Sequence, residues 1–251
     1  MKQANVVLVV TCFTFAATDA LAQNEDNTSS LNEVYDPGQN RLFAMSTGRT
    51  MPEGKVSVGD FIIFLLQAGY APADFIHFNL SYLTTFTRGS ARYWSVGTKV
   101  QILKPSGALK GIAIGADVGF SDELFGISSR YDEHVVSFNI AASVGGSFGG
   151  VHLNIAYLAS PASSYERAPF PTYIQVGTDM VLSRNENGGG MKLLGEILTT
   201  LSNRGISGNV AIVGIRVCTP KSVFDIGWPI AFNETGTAFS RLPFFSFCYV
   251  F

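Results

Sequence analysis

Charged side chains recur on one face of strands that otherwise carry few charges. Because side chains alternate between the two faces of a strand, residues that share a face can be read from the sequence. These charges are Lys99, Asp117, Asp179, Glu196, Arg216 and Asp225, and His77 and His152 share their face. Unpaired charges in a confined space are costly, so opposite signs should pair and tie the sheet together. In a pore, Arg216 and Lys99 could instead form a constriction, and the acidic surplus would favour cations or neutral solutes.

A second group has the residue types of a hydrolase. His77-Phe-Asn79-Leu-Ser81 places a base, an amide and a hydroxyl on one face, as barrel lipases do. Period-2 alternation makes such triplets common, however, and the His-Asp-Ser-Asn-Gly-like motif of outer-membrane phospholipases does not occur. The sequence therefore predicts no catalytic residue, and lipid hydrolysis is the third alternative for function.

Metal, redox and nucleic-acid chemistry have little support in the sequence. The chain has three scattered histidines and no Cys-x-x-Cys pair, so neither a metal site nor a cofactor is expected. Cys218 and Cys248 fall on strands two apart, about 9–10 Å across a sheet, which predicts free thiols. A net charge of -2 argues against a nucleic-acid partner.

The elements that carry these residues read as strands. Alternation is clearest in residues 75–86, 92–104, 111–121, 135–146 and 172–183, and again around 224–230. The polar face holds mostly Gly, Ser and Asn, while the other face carries the bulky apolar side chains. Charged residues make up 14% of the chain, against about 25% in soluble proteins. This pattern indicates a closed barrel with a lipid-facing exterior and a narrow wet interior.

The connections between strands sort into two alternating classes, as turns and loops do at the two ends of such a barrel. Short connections lie at 69–74, 104–107, 148–150, 185–190 and 219–222. Longer or more polar connections lie at 122–134, 160–171, 203–208 and 233–241, with two brief members at 49–54 and 87–91. The sequence therefore predicts an all-β, transmembrane, antiparallel up-and-down barrel of about twelve strands. Ten strands is the alternative, if the first hairpin or segment 221–232 is misassigned.

The N-terminal region precedes the barrel and has two parts. Residues 1–22 have the charge, apolar core and small cleavage residues of a secretory signal peptide. Residues 23–40 are polar and acidic, which favours a disordered periplasmic tail. A plug in the barrel mouth is the alternative, anchored only by Leu31, Val34 and Tyr35. The barrel itself is predicted over residues 41–251.

The C-terminus carries a wholly aromatic strand face. Phe245, Phe247, Tyr249 and Phe251 alternate, and Phe251 is the last residue. This ending resembles the C-terminal targeting strand of bacterial outer-membrane barrels, which the barrel-insertion machinery reads. The resemblance implies location in the outer membrane, with membrane lipid and the barrel-assembly machinery as partners.

The first third of the barrel carries a further resemblance. Residues Arg41-Leu-Phe-Ala-Met-Ser-Thr-Gly-Arg49, then Gly54 and a long strand ending Gly69-Tyr-Ala-Pro-Ala-Asp74, look like the opening hairpin of a poorly characterised family of Bacteroidetes-type outer-membrane barrels. That family supplies no substrate and no catalytic residue. The expected function is a narrow channel or a small-molecule or lipid transport barrel. A structural or adhesive barrel acting through its extracellular loops is the alternative.

Overall fold

The computed structural model describes residues 34–61, 65–83, 93–121, 133–159, 172–202, 205–233, 236–240 and 243–251. Within these ranges the secondary structure is entirely β. The strands are β1 (Val56–Phe61), β2 (Leu65–Ala73), β3 (Ile76–Leu83), β4 (Tyr93–Leu103), β5 (Leu109–Ser121), β6 (Glu133–Gly146), β7 (Gly149–Ala159), β8 (Tyr173–Arg184), β9 (Gly190–Ser202), β10 (Gly205–Cys218), β11 (Ser222–Asn233), β12 (Gly236–Phe239) and β13 (Phe244–Val250). No helix in the described ranges is long and apolar enough to cross a membrane.

The strands form one closed antiparallel sheet. Each strand from β1 to β11 pairs with its neighbour in the chain, and β13 lies between β11 and β1. β12 pairs with the C-terminal part of β11, from residue 230 to 233, and β13 pairs with its N-terminal part, from 222 to 227. β12 and β13 therefore lie along the same strand and together form one wall position. The wall therefore has twelve positions in up-and-down order, and the predicted fold and strand count are confirmed.

Alternation places the bulky side chains outside and the small or polar side chains inside. Phe138 and Ile140 of β6 point outward and are 54% and 56% exposed. Between and beyond them, Asn139, Ala141 and Ser143 point inward, and Ala141 and Ser143 are fully buried. A soluble barrel would place its bulky apolar residues inside instead. The outer surface thus has the character of a lipid-facing wall.

The wall begins later than the sequence predicts. Residues 41–48 are not a wall strand, and the first strand starts at Val56. The predicted long strand that follows is instead a hairpin, β1 and β2, so one strand is lost and another is gained. Connection 49–54 therefore lies at the short-turn end, where Gly54 N donates to Ala71 O (2.7 Å). The turn predicted at 69–74 also shifts, because β2 continues to Ala73.

Residues 34–51 lie inside the barrel, and we call them the insert. Val34 and Asp36 are buried at 3% and 6% exposure, so the predicted tail is wrong for residues 34–40. Buried contacts of the insert reach strands on several sides of the wall, as a plug would. The predicted signal peptide and residues 23–33 lie outside the described residues. So do the predicted connections at 87–91 and 160–171 and most of the one at 122–134.

Candidate functional site

The insert enters and leaves the lumen at the same end. Tyr35 N donates to Gly188 O (2.9 Å) in the turn between β8 and β9, which lies at the short-turn end. The chain then rises to Leu42, Phe43 and Met45, which are buried in the lumen. It returns to the same end, where the Thr50 hydroxyl donates to the carbonyl of Asp74. The insert is therefore a looped segment that fills the lumen from the short-turn side.

An apolar cluster holds the top of the insert. Leu42, Phe43 and Met45 pack with Leu194 of β9 and Phe244 of β13, and Leu65 and Ile212 lie against them. The rings of Phe43 and Phe244 meet edge to face, with centroids 5.1 Å apart. Burial of such side chains stabilises the packed state by about 1.5–3 kcal/mol each. In the sequence, residues 41–48 have an apolar stretch that a lipid-facing strand could also have, which explains their mistaken assignment to the wall.

Arg216 is the polar centre of the site and uses both edges of its guanidinium group. Its Nε and Nη2 donate to the two carboxylate oxygens of Asp225, at 2.8 and 3.0 Å. Its Nη1 also donates to Asp36 Oδ2 (3.2 Å), and Arg216 is 1% exposed. The remaining donors reach three backbone carbonyls of the insert, those of Gly38 (3.2 Å), Arg41 (3.0 Å) and Leu42 (2.8 Å). Arg216 therefore joins the wall to the insert through bidentate and backbone contacts.

A continuous row of hydrogen bonds extends from Arg216 around the wall. Lys192 Nζ lies 3.0 Å from both Asp36 Oδ2 and Asp179 Oδ2. His152 Nε2 lies 3.0 Å from Asp179 Oδ1, and its Nδ1 lies 2.7 Å from Ser143 Oγ. We call this row the ion-pair chain; its members are Asp225, Arg216, Asp36, Lys192, Asp179, His152 and Ser143.

The insert is bound to the ion-pair chain near both of its ends. Asp36 lies between two cations, and Gly48 N donates to Ser143 Oγ (2.8 Å). Burial alone would raise the pKa of Asp36, but the charges of Arg216 and Lys192 lower it to about 2. Asp36 is therefore ionised at neutral pH and contributes an ion pair on each side.

Glu196 holds the insert in a different way. Its carboxylate accepts hydrogen bonds from the backbone N–H of Ala44 (3.1 Å) and of Met45 (3.2 Å). These donors lie in a bend that has no strand partner, and a buried N–H without an acceptor is costly. Glu196 therefore satisfies the backbone of the insert.

The order serine, imidazole, carboxylate in Ser143, His152 and Asp179 raises the question of hydrolase chemistry. Ser143 has no exposed surface, its Oγ already accepts the Gly48 N–H, and Asp179 is shared with Lys192. A nucleophile needs an open site about 3 Å from its oxygen, and this serine is covered by the insert. The geometry is that of a structural connection.

The other hydrolase features also fail geometrically. His77, Asn79 and Ser81 form no hydrogen bonds with one another; Asn79 Nδ2 donates to Asp117 Oδ1 instead (2.8 Å). The sequence also contains a Gly-x-Ser-x-Gly pattern at 145–149, and these residues form the hairpin between β6 and β7. A nucleophile elbow requires a strand, a turn and a helix, and no helix follows here.

On the opposite side of the insert the lumen is open. A cavity of about 180 Å³ lies between the insert and the wall of β1 to β6, with Cys248 of β13 at its edge. Its polar lining includes His77, Asn79, Ser81, Lys99, Asp117 and Asn139. Lys99 Nζ donates to the carbonyl of Asn40 (2.8 Å), so the insert forms one side of this space. We call it the lumen cavity.

The six charges predicted to face inward do so, but they form two groups. Asp179, Arg216 and Asp225 belong to the ion-pair chain, and Glu196 caps the insert nearby. Lys99 and Asp117 line the lumen cavity and form no ion pair with each other within the described ranges. The sequence reasoning missed Lys192, Asp36 and Arg41. Lys192 was recognisable, since it shares the alternating face of Glu196, whereas the two insert residues follow no strand pattern.

These additional residues change the charge balance of the interior. Lys192 and Arg41 add two cations, while Asp36 adds one carboxylate. The acidic surplus read from the sequence is correspondingly smaller. In the described part of the chain, no group of three or more His, Cys, Asp or Glu is placed to hold a metal ion.

The C-terminal aromatics and the two cysteines lie where the register predicts. Phe245, Phe247 and Phe251 point outward, with 37%, 45% and 64% exposure. Cys218 and Cys248 are free, and both pair with Val223 from opposite sides. They are therefore separated by one full strand, and the predicted free thiols are present.

Comparison with protein-family models and with curated protein sequences gave no match. Among solved structures, two of the Pseudomonas aeruginosa protein OpdK are similar: one described as OccK1 (OpdK), the other as OpdK with vanillate. Each shares 11% identity with this chain at a TM-score of 0.36, and 74% of this chain is covered. The chain spans about half the length of these proteins, 56% and 55%. Values this low carry no inference about function.

Proposed function

We propose that this protein is an outer-membrane β-barrel of a Gram-negative bacterium that passes a small polar solute through a narrow path beside the insert. The observation that carries the proposal is the asymmetry of the lumen. From β6 to β11 the insert is tied to the wall by the ion-pair chain, and the apolar cluster holds it against β9 and β13. Along β1 to β6 a cavity with a polar lining separates much of the wall from the insert, and Lys99 and Gln101 of β4 reach across to it.

The polar lining supports transport over a purely structural role. A barrel that serves only as a support gains stability by filling its interior, since unfilled space forfeits packing contacts. Here a cavity of about 180 Å³ remains, with Lys99 and Asp117 on its wall. Charged side chains around a narrow passage set which solutes can enter.

The outer face supports the proposed location. Large apolar side chains such as Phe138, Ile140 and Trp228 are 54%, 56% and 44% exposed, which suits contact with membrane lipid. The terminal aromatics suit recognition by the barrel-assembly machinery. We therefore propose membrane lipid and the barrel-assembly machinery as partners, and residues 1–22 as a signal peptide.

A structural or adhesive barrel is the second candidate. It is favoured by the same ties that hold the insert, because a lumen blocked at all times would leave only the loops to act. A lipid hydrolase is the third, and the burial of Ser143 disfavours it.

Conductance in planar lipid bilayers tests the proposal. The purified protein should give small, stable current steps, and Lys99→Glu should shift the reversal potential in a salt gradient towards cation preference. Lys104→Glu is the matched control, because Lys104 is an exposed cation just beyond the same strand, and its effect should be smaller. Correctly folded, heat-modifiable protein that never conducts would favour the structural barrel.

A further inference from the structure

We infer that the lumen cavity binds a small zwitterion, a solute that carries one carboxylate and one ammonium group. This inference rests on the proposed function and names the class of solute that it would serve. It is carried by the placement of Lys99 and Asp117, by the glycines beneath the lining side chains, and by the size of the cavity.

The two charges of the lumen cavity lie close together without pairing. Lys99 is opposite Gly115 in the register of β4 and β5, and Asp117 is opposite Gly97. The two are thus diagonal neighbours on the inner face, a relation in which side chains are within reach of each other. Each contacts a neutral group instead: Lys99 donates to the carbonyl of Asn40, and Asp117 accepts from Asn79. One cation and one anion are left on the same wall for a ligand of complementary charges.

Glycine keeps this wall open. A Cβ at Gly97 would collide with the carboxylate of Asp117 and lie 2.8 Å from Asn79 Nδ2. A Cβ at Gly115 would lie 2.8 Å from both polar atoms of the Asn139 amide. The side chains of Asp117 and Asn139 therefore lie flat against the wall, over glycines of neighbouring strands. The cavity depends on this arrangement, since larger residues would push these side chains into it.

The cavity has the volume of a small organic solute. Its 180 Å³ exceeds the roughly 150 Å³ of an engineered cavity that binds benzene. A molecule of about seven non-hydrogen atoms, such as 4-aminobutyrate, is of this size. Lys99 would pair with its carboxylate and Asp117 with its ammonium group, both charge-assisted contacts. A solute with only one of these charges would leave the other wall charge unpaired.

Cys248 provides a native reporter, because it lines the lumen cavity and is half-buried. The mature protein in detergent, in a Cys218→Ala background, would be treated with a methanethiosulfonate reagent, and the rate of labelling measured. At about ten times its Kd, 4-aminobutyrate should slow labelling about tenfold, since the free fraction falls as 1/(1 + [L]/Kd). Butyrate and butylamine at the same concentration, alone or together, should leave the rate nearly unchanged.

Two variants and two controls assign the effect to the charges. Lys99→Met and Asp117→Asn should each abolish protection by 4-aminobutyrate. Lys104→Met and Glu186→Gln change exposed charges elsewhere and should retain it. Heat-modifiability on gels checks that every variant folds.

The outcomes separate this inference from the proposed function. Equal protection by all three solutes, or by none, in a protein that conducts would overturn the zwitterion site and leave the channel intact. Selective protection without conductance would support the binding site and contradict transport. Complete absence of Cys248 labelling would mean that the cavity is closed to solutes, which contradicts both.

Discussion

Replacing Arg216 with methionine tests whether one side chain fixes the insert to the wall. The substitution keeps much of the side-chain volume but removes all five donors. Asp225 would lose its bidentate partner, Asp36 would keep Lys192 as its one cation together with the N–H of Gly38, and three insert carbonyls would lose their donor. Asp225 is the worse affected, because it is fully buried and loses both of its hydrogen bonds to Arg216, while the one from Ser246 Oγ (3.0 Å) stays.

The expected loss in free energy of unfolding is about 3–5 kcal/mol, the cost of removing one partner of a buried ion pair. Asp225→Leu alone should cost a similar amount, because it leaves Arg216 without its closest carboxylate. The double variant removes both charges together, so it should be more stable than the sum of the single effects predicts, by about 1–3 kcal/mol. Lys221→Met is the control, since Lys221 is exposed and should change stability by less than about 0.5 kcal/mol.

Urea unfolding from lipid vesicles, followed by tryptophan fluorescence, measures these differences. In a conducting barrel the same Arg216→Met protein should also show a stronger cation preference, because carboxylates then dominate the lumen. Additive single effects would refute the pairing, and an Arg216→Met protein as stable as the parent would show that the insert is held by other contacts.

Three further predictions concern the lipid face, the C-terminus and the pH response. Ile140→Arg should destabilise the barrel by about 2–4 kcal/mol, the range for a cation near the bilayer midplane. Asn139→Arg faces the lumen cavity and should cost less in the same urea assay, and the reverse order would mean that the register is wrong. Deleting Phe251 should sharply reduce outer-membrane assembly while export continues, and normal levels of heat-modifiable protein would contradict the targeting role. The pKa of Asp36 lies near 2 in the folded protein, below its unfolded value of about 3.9, so its stabilising effect is present above about pH 4 and lost as pH falls towards 2. Asp36→Asn should flatten the stability profile in that window, and an unchanged profile would exclude the ion pair as its cause.

The wall of the barrel could be predicted because its physics is local. A strand with lipid on one side and a wet lumen on the other must alternate, so Phe138 and Ile140 point out while Asn139 points in. The same rule placed Arg216, Asp225 and Asp179 inside, and it would have placed Lys192 there. Register follows directly from that alternation.

The insert could not be predicted by the same rule. Leu42, Phe43 and Met45 satisfy an apolar pattern that lipid would satisfy equally well, and only tertiary contacts with Leu194 and Phe244 decide between them. Asp36 gives no local sign of its role, since its partners Arg216 and Lys192 lie more than 150 residues away. Which strands enclose the lumen cavity depends on where the insert lies, so the cavity could not be predicted from the sequence either.

The position of the insert in the chain bears on how the barrel is assembled. It precedes the first strand, yet Arg216 binds Asp36 across 180 residues and Glu196 binds Ala44 across 152. Contacts this distant in sequence form slowly, because most of the chain must be ordered before they can be made. The insert therefore cannot make these contacts until β9 to β13 have joined the wall. Until then it lies at the short-turn side or inside a partly built wall. Closure of β1 on β13 and seating of the insert would then be late, coupled steps, so variants that loosen the insert should lengthen the lifetime of an unclosed intermediate.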